Sequence, residues 1–354
     1  MHPKSDNDAN IDPLALDPGP LTWLRVGLTY NLKKGVTSAL PDAEAEFDDP
    51  DTILAIQTAL AASGCTVELI EASQDLPNRL AQSRPDIVFN VAEGMAGRGR
   101  ESHVPAILNF LQIPFTGSDE TAMCLAMDKA LAKTLALSVG VATPGYQVVS
   151  AGGVGGDGNS AVTAGMSFPL IVKPNAEGSS KGITSASIVH DEASLRRVLA
   201  EKTQAYGQDM LVEEYIDGRE FTVGILGSGE NLHVFPPMEI IFTQPAQPIY
   251  SYEVKRDFRR YVRYACPPDI STAQQAAIEH AAKAVYLALG CRDFARADFR
   301  LSSDGKPYFI ELNPLPGLAP GYSDLPMLAE FCGVAYGDLV RSVLYCALAR
   351  YGMI

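Results

Sequence analysis

Apolar positions along the chain fall into short runs divided by polar loops, and the runs alternate between strand-like and helix-like spacing. "WLRVGLTYN" (23–31) is a compact apolar run ending in a loop and predicts a first strand. After the acidic loop "PDAEAEFDDPD", "TILAIQTALAASG" (52–64) sets its apolar residues at helical spacing and closes on Gly64. "TVELIEA" and "PDIVFNVAEG" (85–94) predict two more strands, and "HVPAILNFLQIPFTGSD" a further helix and strand. Strands alternating with helices predict a parallel, Rossmann-like sheet with helices on its faces. Ligands then belong at the carboxyl ends of the strands.

Farther on the pattern changes. "ETAMCLAMDKALAKTLALSVG" (120–140) predicts one helix stopped at Gly140, and "VATPGYQVVS" an edge strand. "SFPLIVKPNAEGSSKGITSASIV" reads strand–turn–strand, followed by a helix at "DEASLRRVLAEKTQ" and a strand at "MLVEEYI". The longest helix is expected at "STAQQAAIEHAAKAVYLALG" (271–290), with Ser271 or Thr272 as N-cap and Gly290 as stop. The Gly-rich stretch "AGGVGGDGNSAVTAG" (151–165) lacks the GxxxxGK[ST] pattern and reads as a flexible connection. The expected division is a mobile tail (1–20), a first α/β lobe (21–118), a central lobe (119–216) and a third lobe (217–354).

Composition narrows the function. At 354 residues, 47% hydrophobic and 20% charged, the chain reads as a soluble globular protein with room for two or three lobes. A formal net charge of −14 argues against nucleic acid as the main partner. No apolar stretch approaches the length of a membrane span, and the start lacks a signal-peptide core, so the expectation is a cytoplasmic protein without a membrane partner. The six cysteines are scattered with no CxxC, and read as reduced, mostly buried thiols. One segment departs from the acidic balance: "YSYEVKRDFRRYVRY" (250–264) crowds Lys255, Arg256, Arg259, Arg260 and Arg263 together.

The strongest chemical signal is "ARADFRLSSDGKPYFIELNPLPG" (295–317). Asp304 and Gly305 between alternating runs predict a hairpin with a two-residue turn. That register sets Asp298 across from Glu311 and Arg296 across from Asn313, all on one face. Two facing carboxylates and an amide carbonyl suit a hard cation such as Mg²⁺, with Arg296 free to hold a phosphoryl or carboxylate oxygen. A cross-strand cluster in which Arg296 simply neutralises the acids is the competing reading. In "FPLIVKPNAEGSSKG", Lys173 ends an apolar strand before a turn bearing Ser179 and Ser180, which fits phosphate oxygens or a plain Gly-Ser hairpin. In "LVEEYIDGREFTVGIL", Glu213 and Glu220 can accept hydrogen bonds from adenine and ribose, or solvate a surface.

In this order the motifs resemble the ATP-grasp superfamily, most closely the D-alanine–D-alanine ligase family. "LQIPFTGSDETAMCLAMDKALAK" is similar to that family's "lGiPYTGSgv.asal.mDK...K" stretch, and "FPLIVKPNAEGSSKGI", "EFTVGIL" and the final hairpin continue the match, with Ala295 where the family often has Gly. The resemblance spans about residues 85–330 and implies a three-lobed ATP-grasp fold. It also implies an ATP-dependent carboxylate–amine ligase working through an acyl phosphate, on small-molecule carboxylate and amine substrates, as a homodimer.

By position, the resemblance gives Lys129 and Lys173 to the ATP phosphates, with Ser179 and Ser180 in the loop covering them. Glu213 and the backbone of Tyr215 and Ile216 would hold adenine, Glu220 the ribose, and Lys255 would belong to the ATP machinery. Asp298, Glu311 and Asn313 would ligate two Mg²⁺ ions, with Mn²⁺ as a substitute. Arg296 and the Gly317 N–H would stabilise the tetrahedral intermediate, and Ser323 would hold the second substrate's carboxylate.

Three departures fall in the amino-acid subsites. The family's "AEREVS"-like loop, whose Glu holds the first substrate's ammonium, becomes "DAEAEFDDPDT", with Glu44 or Glu46 as candidates. The "alHG..GEDG" loop becomes "NVAEGMAGRGRES", losing its His and gaining Glu93, Arg98, Arg100 and Glu101. Arg256 stands where peptide-forming members usually carry Tyr. The expectation is a ligase with substrates other than two D-alanines, including an acidic or larger one drawn by the added arginines. A genuine D-alanine–D-alanine ligase and an ATP-binding regulator on a ligase scaffold are the alternatives.

Overall fold

The computed structural model describes residues 11–36, 38, 40, 42–153, 165–243 and 249–354. The expected tail therefore lies partly outside the described residues, as does most of the Gly-rich connection.

The first unit is β1 (Arg25–Tyr30), α1 (Pro50–Ala61), β2 (Thr66–Glu71), α2 (Leu76–Ser83), β3 (Ile87–Asn90) and α3 (His103–Leu111). Its strands form a parallel sheet in the order β2-β1-β3. The helix between β2 and β3 has a weak pattern in "LPNRLAQS", where only Leu76 and Leu80 are buried, so periodicity alone does not show it. Among the described residues no strand lies between α3 and the helix that begins at Glu120; Phe115 makes a single bridge to Val88. The parallel sheet opens its carboxyl ends, Lys33 after β1 and Glu93 after β3, onto one side of the molecule.

The expected helix over 120–140 is two helices, α4 (Glu120–Met127) and α5 (Lys129–Ser138). The break is chemical. Asp128 leaves helical geometry (φ −80°, ψ 99°) and its carboxylate caps the Leu131 N–H, as Asp and Asn do at helix starts. Asn175 fastens the same joint, donating to Asp128 and accepting from the Ala130 N–H. Lys129 is thereby presented at a helix N-terminus instead of being lost along a helix flank.

An antiparallel sheet follows, in the order β4-β7-β5-β6, from β4 (Tyr146–Val149), β5 (Leu170–Pro174), β6 (Ile188–Val189) and β7 (Met210–Glu214), backed by α6 (Glu192–Tyr206). The largest sheet takes β8 (Gly218–Ser228), β9 (Asn231–Val234), β10 (Met238–Phe242), β11 (Val262–Ala265), β12 (Asp293–Ser302) and β13 (Pro307–Asn313). Before β11, the basic segment forms two short helices, α7 (Tyr252–Arg256) and α8 (Phe258–Tyr261). α9 (Thr272–Ala288) starts at Ser271, whose hydroxyl accepts from the Gln274 N–H.

α10 (Asp324–Phe331) and α11 (Tyr336–Arg350) close the chain. α11 packs on α1, so the first sheet and these last helices share one continuous core in which Leu28, Ile56, Phe89, Leu325 and Val343 are buried. All six cysteines are free, three of them buried, two half-buried and Cys124 exposed, which is fewer buried than expected. Among the described residues no single helix is long and apolar enough to cross a membrane.

Candidate active site

The β12–β13 hairpin carries the site's charges. Arg296 pairs with Asn313 and Asp298 with Glu311, as the register predicts, but the route there differs. The Ser302 N–H meets the Lys306 carbonyl, so the turn is a three-residue loop (303–305) with Gly305 at φ 83° and not a two-residue one. That extra residue slips the register by one; a bulge that leaves Ile310 without a partner slips it back before Glu311.

Each acid on the hairpin has its own cation. Arg296 makes two hydrogen bonds to Asp298 (3.0 and 2.8 Å), and Thr222 adds a third at 2.7 Å. On its other side Arg296 reaches Asp324 at 3.3 Å, which fixes the guanidinium between two carboxylates. Glu311 pairs instead with Lys129 at 3.2 Å. Burial disfavours charge on both acids, yet Lys129, Lys173 and Arg296 hold Glu311 down to about 2, whereas for Asp298 burial outweighs Arg296 and its carboxyl moves up. The Asn313 amide donates to Asp298 at 3.3 Å. Two carboxylates and an amide carbonyl are hard oxygen donors, the set Mg²⁺ takes when phosphate oxygens complete its shell. Among the described residues no three His, Cys, Asp or Glu side chains form a closed metal cage.

Beside the hairpin lies a slot of about 80 Å³, walled by Ile171, Ile183, Ile216, Ile249 and Ile310 and by Lys173, Glu213 and Glu220. Glu213 sits 2% exposed between Lys133 (2.9 Å) and Lys173 (2.6 Å). Burial acts first on all three. It wins only at Lys133, whose amine falls to about 8, while Lys173 is raised and Glu213 lowered by their mutual attraction. Glu220 pairs with Arg300 at 2.8 Å, and burial still lifts its carboxyl to about 7. Arg300 also donates to the Ile216 carbonyl (2.7 Å) and to the Tyr215 hydroxyl (3.2 Å). These contacts make Glu213 an ion-pair centre first, and give the 215–220 crossing a rigid brace.

The Ser-Gly turn folds over the junction. Ser179 and Ser180 both have positive φ (48° and 57°), a backbone that non-glycine residues adopt at a cost of order 1–3 kcal/mol. Contacts from both sides hold it. The Gly178 N–H donates to Glu46 (2.8 Å), the Gly182 N–H to Asp42 (2.9 Å), and Ser180 Oγ to the Tyr250 carbonyl (2.7 Å). The acidic 42–51 loop thus serves as an anchor for this turn.

Ser179, Lys255 and Arg296 also border a larger cavity of about 540 Å³ at the carboxyl ends of β1 and β3. Gly317 and Ser323 line it, and a side chain at Gly317 would fall 2.8 Å from Ser323 Oγ and push that hydroxyl aside. Ser323 Oγ accepts from the Ala319 N–H at 3.1 Å. Burial lowers the affinity of Lys255 for its proton, and Arg296 lowers it further. Arg256 is exposed at the cavity mouth, bordering both this cavity and a neighbouring cleft, while Arg259, Arg260 and Arg263 face outward.

The substrate-side expectations are redistributed. Glu44 caps the backbone N–H groups of Lys34, Gly35 and Val36, outside the large cavity. Glu46 lines the cavity, but Arg100 grips both of its oxygens and Lys181 stands 3.7 Å away. Arg100 is buried behind Glu46 and does not line the cavity. Arg98 points away altogether: it is exposed, 3.3 Å from Asp128, on the edge of a separate cleft. Glu93 and Glu101 do line the cavity.

Sequence reasoning does not single out several groups at the site. Lys133 is wholly buried on a helix that reads as an ordinary amphipathic one, and Asp324, which reaches Arg296, accepts hydrogen bonds from the Tyr250 and Tyr264 hydroxyls, three segments meeting at one place. The second lysine of the matched DK...K stretch was the available hint for Lys133.

Comparison with known proteins adds to this geometry. The family described as D-ala D-ala ligase C-terminus matches residues 135–345. A D-alanine–D-alanine ligase of Cupriavidus necator is 33% identical over 292 residues, covering 82% of this chain and 85% of that one. An uncharacterized protein of Sinorhizobium fredii, y4sG, is 35% identical over 275 residues, 78% of each chain. In fold, the chain is similar to the D-alanine–D-alanine ligase of Bacillus anthracis complexed with ATP, with TM-score 0.73, 22% identity, and coverage of 93% of this chain and 99% of that one. The VanG D-Ala:D-Ser ligase of Enterococcus faecalis gives TM-score 0.71 at 20% identity, covering 92% and 99%.

Proposed function

The chain belongs to the D-alanine–D-alanine ligase family of ATP-grasp enzymes, ATP-dependent ligases that form carbon–nitrogen bonds, and we propose that it joins a carboxylate to an amine in a pair other than two D-alanines. The observation that carries this reading is the contrast between the two halves of the site. Lys173, Glu213, Glu220, Asp298 and Glu311, which the resemblance gives to ATP and its metal, gather at one slot, while the neighbouring cavity is lined by Glu93, Glu101 and Arg256, where the resemblance expects other residues.

In the proposed reaction a substrate carboxylate oxygen attacks the γ-phosphorus of ATP and ADP departs. The amine then attacks the acyl-phosphate carbon, loses a proton, and inorganic phosphate leaves. Lys129 and Lys173 offset phosphate charge, with Lys173 held in place by Glu213. Ser179, Ser180 and the turn around them cover the phosphates and keep water out. Arg296, fixed between Asp298 and Asp324, and the Gly317 N–H face the oxyanion that forms when the amine adds. Asp298, Glu311 and Asn313 would hold Mg²⁺, which supplies charge neutralisation at the transferring phosphoryl group.

The same reading makes the enzyme a cytoplasmic homodimer, which sedimentation of the purified protein tests. The substrate assignment is tested by ADP release on a panel of amino acids and small acids. Turnover with pairs other than D-alanine supports it; strong turnover with D-alanine alone overturns it.

A further inference from the structure

We propose that the cavity takes an amino-acid substrate whose side chain carries a second amine, held by Glu93 and Glu101. The proposal rests on the ligase reading and names the substrate class for its cavity.

Glu101 is only 8% exposed, yet its side chain lines the cavity. Among the described residues neither Glu101 nor Glu93 has an ion-pair or side-chain hydrogen-bond partner, whereas Glu46 beside them is fully engaged by Arg100. Their meeting is imposed by the backbone. Gly94 has φ 78°, and a side chain there would land 2.1 Å from the Arg100 carbonyl oxygen, so the loop folds back and brings position 101 to position 93. A buried carboxylate without an ion-pair partner is costly, and the half-buried Glu93 sets a second negative charge close to Glu101.

Nearby cations offset only part of this charge: Arg100 is committed to Glu46 and Glu177, Lys129 is paired with Glu311, and Arg98 lies outside the cavity. A single α-ammonium answers one carboxylate. A substrate with a second amine answers both, each ammonium making charge-assisted hydrogen bonds. Burial pushes both carboxyls upward, helped by Glu46 at Glu101, which reaches about 7, and by Glu101 and Glu46 at Glu93; this fits a site waiting for a cation.

The test is calorimetric titration of the full chain, with a non-hydrolysable ATP analogue present, against D- and L-lysine, D- and L-norleucine and glutamate. Lysine of one hand is expected to bind at least about tenfold more tightly than norleucine of the same hand. Glu101→Gln and Glu93→Gln should each shrink that ratio by about the same factor. Equal or tighter binding of norleucine or glutamate, no binding of lysine, or an unchanged ratio in both variants overturns the proposal. Because binding is read without turnover, its failure is separable from that of the ligase reading, which fails if no substrate pair releases ADP.

Discussion

Asp298 and Glu311 face each other directly across β12 and β13, yet each carboxylate answers to a different cation, Asp298 to Arg296 and Glu311 to Lys129. Each acid is thus neutralised without a shared cation between the two. On the proposed reading, the phosphates of ATP would give the lysine and arginine new partners and would leave the acids to a divalent ion.

Glu311→Gln should therefore lower ATP-dependent turnover by at least about a hundredfold, since it removes several kcal/mol of charge stabilisation at the phosphoryl group. Chelation with EDTA should abolish ADP release in the parent, and added Mg²⁺ should restore it. Turnover that survives both treatments would remove the metal from the proposed site.

Arg256 is the exposed last residue of α7 at the cavity mouth. Arg256→Tyr should shift substrate preference toward D-alanine, raising kcat/KM for it by roughly tenfold or more relative to the parent. An unmoved preference across the amino-acid panel would make Arg256 one more solvated cation of its segment.

Glu213 is the ion-pair partner of two buried lysines, with Glu311 acting on both from farther off. Glu213→Gln should destabilise the fold by about 3–5 kcal/mol in urea denaturation, the usual cost of leaving buried charge unpaired. Glu213→Gln with Lys133→Met should recover part of that loss, and a double variant no more stable than the single one would contradict the account.

Glu101 gives a pH signature. Its carboxyl ionises near 4.5 in an open chain and at about 7 in the fold, where it faces Glu46, Glu93, Glu177, Arg100 and Lys129. The folded state therefore holds the proton longer, so its contribution to stability falls as pH rises between those values. Thermal melts of the ligand-free protein should show Glu101→Gln gaining stability over the parent above pH 7 and losing that advantage near pH 4.5. A parallel pair of curves would place Glu101 in ordinary solvent.

Much of this was legible in the sequence. The parallel first sheet, the edge strand β4, the capped helix α9 and the facing of Asp298 with Glu311 all follow from local periodicity and turn chemistry. The hairpin register came out right through two offsetting irregularities, a longer turn and a bulge at Ile310, neither of which alternation can show. What the sequence hid depends on distance. The ion pairs of Lys133 with Glu213 and Arg296 with Asp324 join segments far apart in the chain, and the sequence does not say which arginine of "GRGRES" turns inward. Arg100 turned in to hold Glu46, and Arg98 turned out.

The most direct test follows oxygen. With both carboxylate oxygens of the acyl donor labelled with ¹⁸O, the proposed chemistry transfers one label to the inorganic phosphate released in each turnover. Phosphate carrying one ¹⁸O is the predicted result; phosphate without label, from every substrate that triggers ADP release, would show that water and not a carboxylate takes the phosphoryl group.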